Sequence, residues 1–362
     1  MQCGPVRYSV DAKSQAEKRS FSHSVIPRFT RTRLPAVKRI QDIYGGIAKN
    51  DARNTLLISD AARLAAEGRT PLLLTERKEH AICLEEALQG KADHVFLLLG
   101  SGKPKEKREK LAALRSVPAK ESLVVSATGK YIGEGFDEPR LDTILLAMPI
   151  SWKGTLAQYV GRLHRNYEGK QEVRVYDYVD IHIPSLERMY HKRLKGYSEL
   201  GYCVKASEQD LASSRVYSAR DYMVPFAADL NGAARDILIV SPSLKEFQVK
   251  AVLPALEKAA AAGAAVTIRT RPPESCPPAQ CAATARSIAL LTDRGIRVEA
   301  KEGLPYRYAV IDRGIVWYGD MNYLSYNARE ANTLRFESPD IAGELLEAWA
   351  DGGAFEQLRM GP

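Results

Sequence analysis

Two arginines three residues apart, Arg162 and Arg165 in "QYVGRLHR" (158–165), are the side chains of this sequence best suited to chemistry on a polyphosphate. A guanidinium is planar, permanently charged and fork-shaped, so two of them on one helix face can grip neighbouring phosphate oxygens. Where an arginine neutralises charge developing on a transferring γ-phosphoryl group, it contributes roughly 10³–10⁵ in rate. Taken alone, the octapeptide reads more readily as a solvated basic helix face. A second stretch, "SATGKYIGEGFD" (126–137), sets Gly129, Gly133 and Gly135 before Asp137, giving the backbone freedom that a loop needs to change shape between ligand states. A third, "LLLGSGKPKEKRE" (97–109), imitates a phosphate-cradling loop and fails. The first glycine of Gly-x4-Gly-Lys-Ser/Thr falls on Leu97 and the Ser/Thr on Pro104, which also removes a backbone donor.

These segments need a frame. Apolar runs at 72–75, 94–99, 122–127, 143–148 and 173–180 alternate with helical patterns through "KEHAICLEEAL", "EKREKLAALRS" and "TLAQYVGRLHR". Strands apolar on both faces, spaced by amphipathic helices, predict an α/β lobe with a covered parallel sheet. Two helices precede it, the second capped by Asn50 or Asp51 and closed by Gly68, and a long basic helix through "IPSLERMYHKRLKGYSELGY" follows it. The polar stretch 204–218 lacks a period and reads as a linker. Beyond it, "ILIVSP", an Ala-rich helix, "AVTIRT", "TARSIALLTDRG", "RVEA", "YAVIDR", "IVWYGD" and "TLRFES" predict a smaller α/β domain on a mixed sheet.

"SATGKYIGEGFD" resembles motif V, and "QYVGRLHR" motif VI (Gln-x-x-Gly-Arg-x-x-Arg), of the second RecA-like lobe of superfamily-two DEAD/DEAH-type helicases; "LLLTERKEH" (72–80) resembles motif IV. The resemblance covers about residues 20–200. It implies a RecA-like parallel sheet lobe, with Arg165 as arginine finger, Arg162 as its γ-phosphate-contacting neighbour, and Gln158 and Gly161 on the coupling helix. It further implies that Asp137 and Gly135 couple to the nucleotide, and that Thr128, Gly129, Thr75 and Arg77 meet the nucleic-acid backbone. ATP with Mg²⁺ and a nucleic acid, DNA ahead of RNA, are the implied cofactor and partner. "LLLGSGKPKEKRE" takes the place of the turn after the lobe's second strand, where Lys103, Lys105 and Arg108 face nucleic-acid phosphates or simply solvent.

Such helicases hydrolyse ATP between two lobes, and the first contributes the phosphate loop and an Asp-Glu site for Mg²⁺. This sequence contains no Gly-x4-Gly-Lys-Ser/Thr and no Asp-Glu-x-His or Asp-Glu-x-Asp. The expected domains are therefore an inter-lobe linker and helix remnant (1–50), a helicase C-terminal lobe (51–203), a linker (204–218) and a last domain (219–362). A first lobe comes from elsewhere, and this chain alone is expected to be inactive. A non-enzymatic nucleic-acid-binding or regulatory module is the alternative.

The last domain carries "LPYRYAVIDRGIVWYGDMNYLS" (304–325), which resembles the phospholipase-D-like active-site segment, His-x-Lys-x4-Asp followed by Gly-x-x-Asn. Asp312, Gly319 and Asn322 match, but Pro305 stands for the nucleophilic His and Arg307 for the Lys. All six histidines lie at or before His191, so no phosphohistidine can form in this domain. A phospholipase-D-like fold without its catalysis is expected, rather than a nuclease.

Composition is permissive. The net charge of +8 over 362 residues suits a nucleic-acid partner without requiring one. Five scattered cysteines do not make a disulfide framework, and "CPPAQC" lacks the further ligands of a zinc tetrahedron, so a cytoplasmic setting is expected. The longest apolar run, "TILLAMPI", is far short of the ~20 residues that span a bilayer.

Overall fold

The computed structural model describes residues 19–35, 39–101, 103–133, 136–150, 153–205, 215–302, 304, 306–325 and 331–350. The chain divides between Val204 and Lys205 into two compact units.

The first unit holds a seven-stranded sheet in which every described pairing is parallel. Its strands are β1 (Ser22–Thr30), β2 (Pro71–Thr75), β3 (His94–Leu98), β4 (Leu123–Thr128), β5 (Thr143–Leu146), β6 (Glu172–Asp180) and β7 (Cys203–Val204), in spatial order β3-β4-β2-β5-β6-β1-β7. β2, β4 and β5 are buried along their whole length, as central strands covered on both faces must be. The helices are α1 (Ile40–Ala48), α2 (Asp51–Ala66), α3 (Lys78–Leu88), α4 (Pro104–Arg115), α5 (Gly129–Gly133), α6 (Lys153–Gly161) and α7 (Pro184–Glu199). Asn50 caps α2, its side chain accepting the Arg53 N–H at 2.9 Å. Gly68 follows that helix at φ +80°, a conformation that costs glycine little.

Within 1–50, expected as an inter-lobe linker and helix remnant, the expected helix is present as α1, but the strand β1 is a correction. Residues 22–30 pair with β6 along all nine positions, from Ser22↔Glu172 to Thr30↔Asp180, and α1 buries Ile43 and Ile47 against Met148, Ile183 and Leu186. Pro27 and Arg28 interrupt the apolar pattern, and the partner strand lies about 150 residues onward, so nothing local announces β1. β7 covers only Ser24 and Val25 of β1, and past that point the open edge tolerates a proline.

Two buried ion pairs tie β6 to its flanking helices. Arg193 of α7 places Nε and Nη2 on the two Asp177 oxygens, each at 2.7 Å, and Nη1 on the Ile150 carbonyl at 2.7 Å. Arg53 of α2 places Nε 3.0 Å from Asp180 and Nη1 2.6 Å from the Ala147 carbonyl. Asp177 and Asp180 alternate across the strand, so the segment after β5 is pinned from both faces of the sheet.

The second unit has a mixed sheet of β8 (Arg215–Ser218), β9 (Asp236–Val240), β10 (Ala265–Thr270), β11 (Arg297–Ala300), β12 (Tyr308–Ile311), β13 (Ile315–Gly319) and β14 (Asn332–Glu337), ordered β11-β10-β9-β12-β13-β14-β8. β9, β10 and β11 run parallel, while β12, β13, β14 and β8 form an antiparallel series. Its helices are α8 (Met223–Asn231), α9 (Glu246–Ala261), α10 (Pro278–Thr292) and α11 (Pro339–Ala350). The core gathers Phe226, Trp317 and Tyr323, with Phe226 edge-on to Trp317 at 5.2 Å between ring centroids. Part of the expected linker is also sheet, since Arg215–Ser218 pairs with β14. The α/β reading, a parallel sheet followed by a mixed one, thus holds.

Candidate functional site

The residues singled out in the first unit gather at the carboxyl edge of the parallel sheet, where open α/β sheets place their ligands. Thr75 and Thr128 are register partners at the ends of β2 and β4. Both hydroxyls are engaged inside the protein. Thr75 Oγ1 lies 3.1 Å from His80 Nδ1 and accepts the Arg77 N–H at 3.2 Å, and His80 Nε2 continues the chain to Asn54 Oδ1 at 3.0 Å. Thr128 Oγ1 accepts the N–H of Gly100, so the turn that imitates a phosphate loop is tied to the glycine-rich segment instead. Lys103, just before α4, and Lys105 and Arg108 within it are exposed, while Lys107 and Lys110 donate to the Gly100 and Leu97 carbonyls at 2.9 and 3.1 Å. The Arg77 guanidinium donates to the Gln41 carbonyl at 2.7 Å, joining β2 to α1.

Gly129 opens α5 directly beneath a hydrogen bond from Tyr159 Oη to Glu76 Oε1, 2.8 Å long. A Cβ at this position would fall on both of those oxygens, far inside van der Waals contact, so only glycine fits. The Tyr159 hydroxyl is driven well above its usual range, by burial first and then by the Glu76 carboxylate. One bond therefore draws together Glu76 after β2, Gly129 after β4 and Tyr159 of α6.

Arg162 and Arg165 do not share a helix face. α6 ends at Gly161, Arg162–His164 form a single 3-10 turn, and Arg165 follows in extended conformation. The shift in backbone sends the two side chains to different partners. Arg162 Nη2 and Gln158 Nε2 both point to the Gly133 carbonyl, each at 3.4 Å, and Arg162 Nε is buried without a partner. Arg165 Nε reaches Asp137 Oδ1 at 2.9 Å, with about half of each side chain in solvent. Arg115 donates to the Asp137 carbonyl at 2.6 Å and fixes the loop from behind. Gly161 has open space around it. Gly135 lies outside the described residues.

In the second unit the degenerate motif splits in two. Arg307 Nε and Asn322 Oδ1 meet at 3.2 Å at one end of β12. Asp312 sits at the other end, about 17 Å along a strand rising ~3.4 Å per residue. There its carboxylate accepts the N–H groups of Ala234, Arg235 and Asp236 at 2.8 to 3.2 Å. Those backbone donors and nearby Arg235 outweigh its partial burial and hold its carboxyl below the usual range. Asp312 thus anchors the start of β9 through a left-handed turn, φ +51°, and is not gathered with Arg307. Pro305 lies outside the described residues.

No family model matches the chain. Over 81 residues it is 36% identical to uncharacterized protein 108L of invertebrate iridescent virus 3, an alignment covering 22% of this chain and 73% of that protein. The chain belongs to the 108L family. This 108L-family chain is also 29% identical over 167 residues to 161L of invertebrate iridescent virus 6, a protein bearing a helicase name; the match covers 44% of this chain and 36% of that relative's length. Among solved structures, UvsW of T4 is 18% identical with a TM-score of 0.41, covering 51% of this chain and 41% of UvsW. The phospholipase D family member Nuc from Salmonella typhimurium is 19% identical with a TM-score of 0.33, covering 38% of this chain and 92% of Nuc.

The site in this 108L-family chain contains residues that motif reading passed over. His164 Nε2 lies 2.9 Å from Tyr202 Oη, and the His23 ring packs edge-on to His164 at 4.9 Å. Burial first, then Arg19, lowers His164 to about 3 and His23 to about 4, so both rings are neutral. Lys170 turns its ammonium toward the carbonyls around the arginine turn. The only sequence signal for Lys170 is its place after Gly169, which adopts φ +81°.

Proposed function

We propose that this chain is the C-terminal part of an ATP-dependent nucleic-acid helicase or translocase, its first unit acting as the second RecA-like lobe. The observation that carries the reading is Arg165 on Asp137: two motif residues 28 apart in sequence meet at the carboxyl edge of a parallel sheet, still open to solvent. An exposed pair of this kind holds only about 0–1 kcal/mol, so a polyphosphate competes with Asp137 on favourable terms. The 29% identity to 161L supports the same reading.

The residues present fit one side of an ATP site. Arg162 brings a buried Nε without a partner, and Arg165 a guanidinium whose carboxylate partner is exchangeable. Bound with Mg²⁺, ATP supplies the γ-phosphoryl group whose hydrolysis drives movement. Arg165 and Arg162 neutralise phosphate charge, and the bonds of Gln158 and Arg162 to Gly133 tie their turn to the glycine-rich segment. Through Gly129 and Thr128 that segment is tied to the ends of β2 and β4, whose threonine hydroxyls are engaged inside the protein, so any contact with nucleic acid falls to the loops around them. The phosphate-loop half of the site comes from outside these residues. The second unit keeps a phospholipase-D-like scaffold without catalysis, because no histidine is available beside Arg307 and Asn322.

The test mixes this chain with a candidate first-lobe polypeptide that carries Gly-x4-Gly-Lys-Ser/Thr and an Asp-Glu site for Mg²⁺. The chain alone gives no ATP turnover, the mixture does, and Arg165→Ala in the mixture lowers it by roughly 10³-fold or more. Absence of turnover in every mixture, with salt-sensitive nucleic-acid binding retained, makes the chain a binding module instead.

A further inference from the structure

Lys170 occupies an unusual position. It stands in the turn before β6, its own N–H bonded to the Tyr167 carbonyl at 3.1 Å, and its Nζ lies within hydrogen-bonding distance of four backbone carbonyls. Two belong to the loop after Asp137, Pro139 at 2.6 Å and Leu141 at 2.8 Å; two belong to the arginine turn, Leu163 at 3.1 Å and Arg165 at 2.9 Å. The Phe21 ring covers the ammonium, its centroid 5.8 Å away. We propose that Lys170 is a positioning residue: its ammonium locks the arginine turn to the Asp137 loop, and the lock opens when the proton leaves.

The chemistry of the cage supports this. An ammonium offers three N–H donors, which four converging carbonyl oxygens can share. The neutral amine keeps two donors and turns a lone pair toward carbonyl oxygens, so like dipoles face one another and the two segments part. The groups facing Lys170 are Asp142 and Glu138, which favour its charge, and Arg69, which opposes it; His164, close by, is neutral. Burial is the largest influence, and the balance brings Lys170 down to about 8, within reach of ordinary solution conditions. Since the Arg165 carbonyl is one of the four anchors, the state of this lysine governs where the Arg165 guanidinium begins. The role assigned to that arginine rests on the helicase reading; the lock itself does not.

Hydrogen exchange of the full-length chain tests the lock without nucleotide or a second polypeptide, so its outcome is independent of the ATPase test. Protection of the Arg162–Tyr167 amides, corrected for intrinsic exchange, is followed from pH 6.5 to 9.5 in wild type, Lys170→Arg and Lys170→Met. In wild type, protection falls about tenfold through pH 8. Lys170→Arg, whose charge persists, abolishes the step and stays protected, while Lys170→Met is unprotected throughout, and the β4 amides are unchanged in all three. A wild type without a step, a Lys170→Arg protein with the wild-type step, or a Lys170→Met protein as protected as wild type overturns the proposal. Should Lys170→Met lose β4 protection and so fail to fold, the comparison of wild type with Lys170→Arg still decides.

Discussion

Gly129→Ala is the sharpest perturbation the site offers. The added methyl lands on Tyr159 Oη and Glu76 Oε1 and lies 3.0 Å from Glu76 Cδ. The Tyr159 ring is buried, at 5% exposure, and cannot yield, whereas Glu76 is exposed and can swing away once its bond is broken. The cost has two parts. A hydrogen bond to a charged partner contributes ~1.5–3 kcal/mol, the low end applying to this half-exposed carboxylate, and displacing a buried ring costs ~1–3 kcal/mol. Alanine returns up to about 1 kcal/mol of helix propensity at the start of α5. The net expectation is a loss of about 2–3 kcal/mol. Tyr159→Phe alone loses only the hydrogen bond, ~1.5 kcal/mol, because water can solvate Glu76. The phenylalanine also removes the oxygen that the methyl strikes. The double variant is therefore expected to be about as stable as Tyr159→Phe, leaving a coupling of ~2 kcal/mol. Hydrogen exchange of the Leu123–Thr128 amides through a urea series reads this in the first unit by itself. Additive losses would refute the reasoning, since they would mean that Tyr159 Oη is not what the methyl meets.

Two histidines, buried His23 and half-buried His164, set a pH dependence. His23 and His164 titrate near 6.5 when unfolded but at about 4 and about 3 when folded, so the unfolded chain binds more protons below pH 6.5. Stability is complete above pH 6.5 and is lost as pH falls toward 4; urea midpoints of the first unit should drop from pH 7 to pH 5, and His164→Phe should flatten the slope. Arg193→Met strands the buried Asp177 carboxylate with Tyr197 as a remaining donor and should cost ~3–5 kcal/mol by β6 hydrogen exchange, while Arg193→Met with Asp177→Leu should cost less than Arg193→Met alone. In the second unit, Gly319→Ala drives a methyl into the Asn332 carbonyl and to 2.7 Å from Thr333 Cα, backbone that cannot move aside. It should lower the denaturation midpoint followed by fluorescence of buried Trp317, whereas Gly314→Ala, with its nearest atom at 3.9 Å, should not.

Much of the architecture is written locally. The apolar runs 72–75, 94–99, 122–127 and 143–148 became β2, β3, β4 and β5; of these, β2, β4 and β5 are buried on both faces, which demands largely apolar side chains, while β3 is the half-buried edge. Asn50 and Gly68 mark the ends of α2 by chemistry confined to a few residues. Leu97 and Pro104 are enough to dismiss the apparent phosphate loop. What the sequence could not convey depends on partners far away along the chain. β1 is polar at its start and broken by Pro27, and only pairing with β6, about 150 residues later, makes it a strand. The helix expected through Arg165 stops at Gly161, where the turn is held from outside by Tyr202, His23 and Lys170. Asp312, matched to a catalytic motif by its spacing, is claimed by three N–H groups at the start of β9. By itself, then, the sequence determined the apolar strands β2 to β5 and which arginines could do chemistry, since burial and charge follow residue type, but not the strands β1 and β8 that distant pairing creates. Only the tertiary structure decided where those arginines point, because side-chain direction follows hydrogen bonds and packing made by residues that the chain brings together from a distance.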